Sequence, residues 1–227
     1  MCGVAGIFSV NNINEKNITD ALLSLNHRGP DNSHYLIESS LNIAIGHTRL
    51  SIQDLSSSGN QPMKSSSYRY IISFNGEIYN HLDLRSEILN EVADHKWKGT
   101  SDTETLIEAI NIWGIEHTLK KIKGMFAFAL IDMKKKVLYL ARDRFGEKPM
   151  YYSNINNEFC FASELQAIYK LNNFKINIDQ KSINLFLNLS YIPTPKTIYE
   201  NVFKLEPGYM LEIPLKNDFK IHKKSYW

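Results

Sequence analysis

Hydrophobic and polar positions alternate along some stretches of the chain and recur every three or four residues along others. Alternation is typical of strands that bury one face, and helical recurrence is typical of amphipathic helices. The alternating or compact apolar stretches predict strands over residues 2–10, 41–47, 68–74, 125–131, 137–141, 150–152 and 158–162. The helical spacing predicts helices over residues 15–26, 82–92, 101–113, 163–171 and 179–189.

The connections between these elements predict an α+β fold. Turns at residues 132–136 and 154–157 join consecutive strands, so antiparallel hairpins are expected, and the charged segment 142–148 is predicted to be another hairpin turn. The Pro207–Gly208 pair is typical of a type II turn. Helices cluster between hairpins instead of alternating one by one with strands, which favours α+β layering over a parallel α/β sheet.

Composition narrows the class of protein. The chain has 227 residues, of which 43% are apolar and 22% charged, as in soluble globular domains. With 26 basic and 24 acidic residues, it lacks the strongly basic character of a nucleic-acid-binding domain. A mean hydropathy of -0.30 and the lack of a long apolar run argue against a membrane span. Two cysteines and no secretory signal predict a reducing, cytoplasmic location.

Cys2 is the first candidate for chemistry. Its small side chain favours removal of Met1, after which the thiol and the α-amine would belong to one terminal residue. The amine, with a pKa of about 7.7–8.0, could then act as a base for the thiol, whose ordinary pKa is about 8.5. N-terminal nucleophiles use this arrangement. Position alone also allows Cys2 to be an ordinary second residue.

Other polar residues could complete a site around a cysteine nucleophile. The Asn75 amide and the Gly76 N–H are suitable donors for an oxyanion, although Asn-Gly is also a common hairpin turn. Arg49 could clamp a substrate carboxylate or form a surface ion pair. Glu77 and Asp102 could bind an ammonium group, but Asp102 also follows a Ser101 helix cap, where an acid is expected without any ligand.

Several motifs together give the chain a family resemblance. It closely resembles the class II, N-terminal-nucleophile glutamine amidotransferase domain of glutamine-hydrolysing asparagine synthetases. The resemblance covers nearly the whole chain and is far more specific than any single motif. The segments that carry it are MCGVAGIF, LNHRGPD, GHTRLSIQDLSSSGNQPM, FNGEIYN, TSDTE, GMFAFALID, ARDRFGEKPMYY, FASELQAI and YIPTPKTIYENVFKLEPGY.

The resemblance implies a role for each matching residue. Cys2 resembles the nucleophile, and Asn75 with Gly76 resembles the oxyanion hole. Arg49 resembles the carboxylate-binding arginine, assisted by the segment from Leu50 to Gln53, and Glu77 and Asp102 resemble the amine-binding acids. Residues 1–227 would form one amidotransferase domain with the family's four-layer αββα sandwich of two antiparallel sheets.

The resemblance also implies partners. Glutamine would be the substrate, and ammonia would pass to a synthetase domain or subunit that amidates aspartate and is absent from this chain. No metal or organic cofactor is expected for the glutaminase reaction, whereas ATP and Mg²⁺ would serve only the synthetase domain. No nucleic-acid or membrane partner is expected, and a homodimer remains open.

Two alternative functions stay open from the sequence. The chain could be a docking or ammonia-delivery module with little turnover alone, or it could supply ammonia for another carboxylate, such as a cell-surface sugar acid. Three further side chains are assigned structural roles: Cys160 as a buried thiol, and His27 and His47 as groups without a proton-transfer function.

Overall fold

The computed structural model describes residues 1–11, 13–155, 157–171, 177–217 and 219–227. Its helices are α1 (Glu15–Ser24), α2 (His81–Glu91), α3 (Asp102–Trp113), α4 (Ile115–Lys121), α5 (Leu165–Leu171) and α6 (Gln180–Leu189). Its first six strands are β1 (Gly3–Ser9), β2 (Asn32–Glu38), β3 (Ile43–Arg49), β4 (Met63–Lys64), β5 (Tyr70–Ile78) and β6 (Gly124–Asp132). The others are β7 (Val137–Arg142), β8 (Tyr151–Ile155), β9 (Glu158–Ala162), β10 (Val202–Lys204), β11 (Tyr209–Pro214) and β12 (His222–Ser225).

The strands form two antiparallel sheets of six strands each within the described residues. The order is β10-β8-β9-β1-β3-β2 in the first sheet and β12-β11-β7-β6-β5-β4 in the second. The strands pair in antiparallel register throughout, for example Gly3 with Thr48 and Asn75 with Ala127. Antiparallel sheets joined by hairpins, with helices grouped apart, confirm the predicted α+β class.

Three apolar clusters define the layers. One cluster fills the space between the sheets, with Val4 and Ile45 from the first sheet and Leu140 from the second. A second cluster packs α3 and its neighbouring helices on the outer face of the second sheet, and a third packs α1 and α5 on the outer face of the first. The four layers are therefore helices, the first sheet, the second sheet and helices, in that order. This is the arrangement that the family resemblance predicted.

The structure corrects several local predictions. Strand β5 does not end before Asn75 but continues through Gly76 to Ile78, paired with β6, so Asn75–Gly76 is not a hairpin turn. Segment 142–148 is not a hairpin turn either, because β7 and β8 belong to different sheets. The predicted hairpin of β8 and β9 is confirmed, although residue 156 of its turn lies outside the described residues. Sequence patterning missed β2, β4, α4 and β10–β12.

Candidate active site

Cys2 lies immediately before the first paired residue of β1. The ladder between β1 and β3 begins at Gly3 and Thr48, so the backbone of Cys2 is outside it. The Cys2 Sγ lies 3.4 Å from the backbone nitrogen of Leu50 and 3.8 Å from the Leu50 carbonyl oxygen. The thiol is therefore held at the point where β3 ends and the following loop begins.

The surroundings of Cys2 keep its thiol protonated. Burial raises the pKa of the Cys2 thiol above its ordinary value, and the Asp102 carboxylate adds to the rise. The N–H of Leu50, the charge of the chain's amino terminus and the Arg49 guanidinium act in the opposite direction without cancelling it. A neutral thiol is a weak nucleophile, so a reaction at Cys2 requires a nearby base.

Asn75 presents a free amide donor beside this thiol. Its side chain is only 1% exposed, and its Nδ2 has no hydrogen-bond partner among the described residues. A buried donor without a partner destabilises a fold by about 1–3 kcal/mol, so such groups are usually retained for a ligand. A Cβ on the next residue, Gly76, would overlap the Met125 carbonyl oxygen of β6. Glycine is required there because the two backbones approach so closely.

Asp102 and Glu77 approach the same space from the start of α3 and the end of β5. The Asp102 Oδ2 accepts a 2.8 Å hydrogen bond from the backbone N–H of Ile78. Burial raises the pKa of Asp102 from 3.8 to about 6, and the charge of Glu77 adds to the shift. The Glu77 Oε1 accepts a 3.3 Å hydrogen bond from the Gln53 side chain. The two carboxylates make this part of the site attractive to a cation.

The start of α3 is fixed by a partial capping box. The Ser101 Oγ accepts a hydrogen bond from the Glu104 N–H at 3.2 Å, as the sequence predicted. The Glu104 carboxylate does not complete the box but accepts the backbone N–H groups of Lys98 and Gly99 at 2.7 and 2.9 Å. Glu104 therefore ties the preceding loop to the helix and holds Asp102 in place.

Arg49 is the last residue of β3, and it is largely enclosed by the loop that follows. Its Nη1 donates to the carbonyl oxygen of Ser56 at 2.8 Å and to the Asn60 Oδ1 at 2.7 Å, and its Nη2 donates to the Asp54 carbonyl oxygen. A Cβ at Gly59 would overlap the same guanidinium. Arg49 thus organises loop 50–60 and at the same time contributes a positive charge to the site.

One cavity of about 180 Å³ is lined by every residue that the sequence analysis predicted for the site. The eight predicted residues that line it are Cys2, Arg49, Leu50, Gln53, Asn75, Gly76, Glu77 and Asp102. Arg49 ends β3 of the first sheet, Cys2 immediately precedes β1 of that sheet, and Asn75 belongs to the second sheet, so packing of the sheets brings them together. The size suits a small ligand such as one amino acid more than a nucleotide.

Sequence reasoning assigned no site role to several other residues around the cavity. Gln61 accepts the Phe74 N–H at 2.7 Å and donates to Thr103 at 3.2 Å, which links β5 to α3. Lys148 also lines the cavity. Arg28 donates from Nε to the Cys2 carbonyl oxygen at 2.9 Å and from Nη1 to Glu164 at 2.8 Å. Arg28, Lys148 and Glu164 all lie in segments that carried the family resemblance, but sequence spacing gives no sign of their contacts.

The sequence analysis assigned structural roles to Cys160, His47 and His27, and the surroundings of each side chain are consistent with its role. Cys160 is fully buried in β9, and its burial raises its thiol pKa strongly. Burial lowers the pKa of His47 to about 4, while its Nε2 lies 3.0 Å from the Phe74 carbonyl oxygen. His27 pairs with Glu164 at 3.0 Å and does not line the cavity.

Two features of the described residues concern metal binding and membrane insertion. Their His, Cys, Asp and Glu side chains form no group of three that could hold a metal ion. Each helix within the described ranges is too short or too polar to cross a bilayer.

Comparison with known proteins agrees with the geometry. A family model described as a glutamine amidotransferase domain matches residues 1–227. A putative glutamine-hydrolysing asparagine synthetase of Methanocaldococcus jannaschii is 37% identical over 246 residues, covering 100% of this chain and 46% of that protein. Asparagine synthetase 1 of Bacillus subtilis is 35% identical over 232 residues, covering 100% of this chain and 35% of that protein. The chain therefore spans less than half the length of these relatives.

Solved structures support the fold. Glutamine phosphoribosylpyrophosphate amidotransferase of B. subtilis superposes with a TM-score of 0.74 at 20% identity, covering 100% of this chain and 49% of that one. At this identity the likeness concerns the fold alone. It matches the arrangement of two antiparallel sheets between helices.

Proposed function

The chain belongs to the class II glutamine amidotransferase family, and from that premise we propose that it hydrolyses glutamine to glutamate and ammonia through a thioester on Cys2. The ammonia would pass to a synthetase domain or partner that amidates aspartate. The observation that carries the proposal is the convergence on one cavity of the Cys2 thiol, the unpartnered Asn75 amide, the Arg49 cation and two carboxylates.

The first step requires a base for the protonated thiol. After removal of Met1, the α-amine of Cys2 takes the thiol proton, directly or through a water molecule. The thiolate then attacks the side-chain carbonyl carbon of glutamine, and the C–N bond breaks as the ammonium returns its proton to the leaving nitrogen. Ammonia and a γ-glutamyl thioester result. Water attacks the thioester, the amine again relays the proton, and glutamate leaves as the thiol is restored.

Asn75 and Gly76 stabilise the charge that develops in both halves of this reaction. The Asn75 Nδ2 is buried and has no protein partner in the described part of the chain, so it is free to donate to an oxyanion. Donors of this kind typically contribute about 10²–10³-fold to turnover, because they are oriented before the charge appears.

Recognition of glutamine uses the charged side chains that line the cavity. Arg49 binds the α-carboxylate, assisted by the backbone between Leu50 and Gln53. Asp102 and Glu77 bind the α-ammonium group. Because these charges lie at a fixed distance from Cys2, the length of the side chain selects glutamine over the shorter asparagine.

The proposed partner is the ATP-using part of an asparagine synthetase. Support comes from the curated relatives, which are named glutamine-hydrolysing asparagine synthetases and are more than twice as long as this chain. The glutaminase reaction itself needs no cofactor in this scheme, and ATP and Mg²⁺ serve only the synthetase part. A nucleophilic thiol that must stay reduced suits the cytoplasm.

The proposal is tested by changing each cysteine in turn. Cys2→Ala removes the nucleophile, so we expect no glutaminase activity and an unchanged circular dichroism spectrum. Cys160→Ala is the matched control, because it removes a buried thiol that does not line the cavity and should retain turnover. Intact mass must show loss of Met1 in the active sample. Normal turnover by Cys2→Ala, or by protein that keeps Met1, would contradict the proposal.

A further inference from the structure

We infer that Glu164 is a positioning residue for the Cys2 nucleophile, acting through Arg28. The inference rests on the proposed function of Cys2 but concerns residues to which that mechanism gives no role. The contacts form a chain from Glu164 through the Arg28 guanidinium to the Cys2 main-chain carbonyl.

Cys2 needs an anchor because the sheet does not provide one. Its first paired neighbour is Gly3, so no ladder pairing fixes the Cys2 backbone itself. Once Met1 is removed, Cys2 is joined to the chain by one peptide bond only. Rotation about the N–Cα bond of Gly3 would swing the carbonyl, amine and thiol of Cys2 together relative to Leu50 and Asn75. A hydrogen bond to the Cys2 carbonyl oxygen restricts that rotation, and Arg28 Nε donates it at 2.9 Å.

Arg28 can hold this carbonyl only if its own side chain is held. Ordering a long arginine side chain carries a cost in conformational entropy. The Glu164 Oε1 accepts from Arg28 Nη1 at 2.8 Å, in an ion pair where the arginine is only 8% exposed. The guanidinium is planar, so fixing Nη1 also fixes the direction of Nε. The carboxylate thereby determines where Arg28 can donate.

Glu164 is in turn fixed to the strand that carries Cys2. The neighbouring Ser163 makes two hydrogen bonds to Val4 of β1, from Val4 N to Ser163 Oγ at 3.0 Å and from Ser163 N to the Val4 carbonyl oxygen at 2.8 Å. Burial would raise the pKa of Glu164, but hydrogen bonds from Arg28 and His27 outweigh it and keep the pKa below its ordinary value. Glu164 therefore stays charged while it holds Arg28.

The test compares Glu164→Ala with His27→Ala. Both variants remove a partner from the same ionic cluster, but only Glu164 connects to Cys2 through Arg28. For Glu164→Ala we expect kcat to fall about 10- to 100-fold, as small displacements of reacting groups do, with KM for glutamine little changed. Alkylation of Cys2 by iodoacetamide should change in rate as well. His27→Ala should keep kcat and the alkylation rate close to those of the wild type.

Three further measurements separate positioning from folding. The thermal midpoint shows whether Glu164→Ala folds, and Glu164→Gln keeps the shape of the side chain and the start of α5 if it does not. In an Arg28→Ala background, Glu164→Ala should cause no further loss of kcat, since residues that act in one chain are not additive. Arg28→Lys should resemble Glu164→Ala, because one ammonium cannot reproduce the guanidinium fork.

The outcomes distinguish this inference from the proposed function. A folded Glu164→Ala protein with wild-type kcat and alkylation rate overturns the inference and leaves the glutaminase intact. Equal losses in His27→Ala and Glu164→Ala, or full additivity with Arg28→Ala, also overturn it. A wild-type protein that has lost Met1 and still fails to hydrolyse glutamine overturns the proposed function itself.

Discussion

Asn75 and Asp102 are both buried polar side chains, but their surroundings prepare them differently. The Asn75 amide nitrogen is left without a partner, so the fold retains an unfavourable group that a ligand can satisfy. Asp102 has partners in the N–H groups of Ile78 and Thr103, but burial still makes its ionised form unfavourable. At the residue scale, the site therefore contains one buried donor without a partner and one carboxylate whose ionised form is unfavourable. Substrate binding can satisfy the donor and stabilise the ionised carboxylate.

Asp102 makes the binding of glutamine dependent on pH. Its pKa is about 6, and its ionised form is needed to bind an ammonium group. In the inactive Cys2→Ala protein, we expect glutamine affinity to be constant above pH 7 and to fall up to about tenfold per unit below pH 6. Calorimetric titration between pH 5 and pH 8 measures this directly.

Asp102→Asn is the control for that titration. It should bind glutamine weakly at every pH and show no decline centred near pH 6.

The folded-state pKa of Asp102 lies above its unfolded value of 3.8, so its contribution to stability is present below about pH 4 and is lost as pH rises through 6. The asparagine variant should therefore unfold at a higher temperature than the parent at pH 8. A parent protein whose affinity is flat across the range would contradict the assignment.

At the scale of elements, loop 50–60 and the ends of β1, β3 and β5 build the site. Arg49 holds the loop through Ser56, Asp54 and Asn60. The Asp54 carboxylate accepts hydrogen bonds from the Ser56 side chain and from the Thr100 N–H, and it thereby links the loop to the segment before α3. The same hydrogen bonds lower the pKa of Asp54 to about 2. The loop is thus ordered by buried polar contacts rather than by apolar packing.

Gly59→Ala tests this role of the loop. A Cβ at position 59 would overlap the Arg49 guanidinium, which three oxygen atoms hold in place. Displacing Arg49 weakens its hydrogen bond to the substrate carboxylate, so KM for glutamine should rise about 10- to 100-fold while kcat changes less. Ser57→Ala, in the same short turn, adds no atoms and should leave KM unchanged. Steady-state kinetics of both variants decide the matter, and an unchanged KM in Gly59→Ala would refute the prediction.

Strand prediction failed mostly at the edges of the sheets. The residues of β12 are all exposed, and β2 is only partly buried, so neither shows a clean alternation of apolar and polar positions. The central strands β1, β6 and β9 are almost wholly buried and were found from their apolar residues. Edge strands are held by backbone hydrogen bonds to a neighbouring strand. These bonds do not require a regular alternation of apolar and polar side chains, so the sequence pattern does not reveal them.

At the scale of the whole molecule, the site exists because two sheets pack face to face. Cys2 immediately precedes β1 and Arg49 ends β3 of the first sheet, Asn75 belongs to the second sheet, and Asp102 belongs to a helix on the outer side of the second. No local segment contains the site. The ends of distant elements meet at one cavity, and the apolar cluster between the sheets fixes their separation.

In the proposed scheme this domain hydrolyses glutamine and a partner uses ATP, so the two reactions should differ in their need for a metal ion. The proposed glutaminase chemistry uses only side chains and the α-amine of Cys2, and none of its steps requires a metal ion. Treatment with EDTA should therefore leave glutamine hydrolysis unchanged. Amidation of aspartate by the complete synthetase assembly should stop, because ATP use requires Mg²⁺. Glutamine hydrolysis that EDTA abolishes and Mg²⁺ restores would contradict this scheme.

The sequence by itself determined the element types of the central strands and main helices, the α+β class, the family and the eight candidate site residues, of which Cys2 is one. These follow from local patterns and motifs, which need no knowledge of distant contacts. Only the tertiary structure decided that β5 runs through Asn75, that Arg49 holds loop 50–60, and that Glu164 reaches Cys2 through Arg28. Those contacts join residues up to 136 positions apart. These distant residues come into contact because packing of the sheets closes the long loops between them. Neither composition nor spacing along the chain predicts which loops will close in this way.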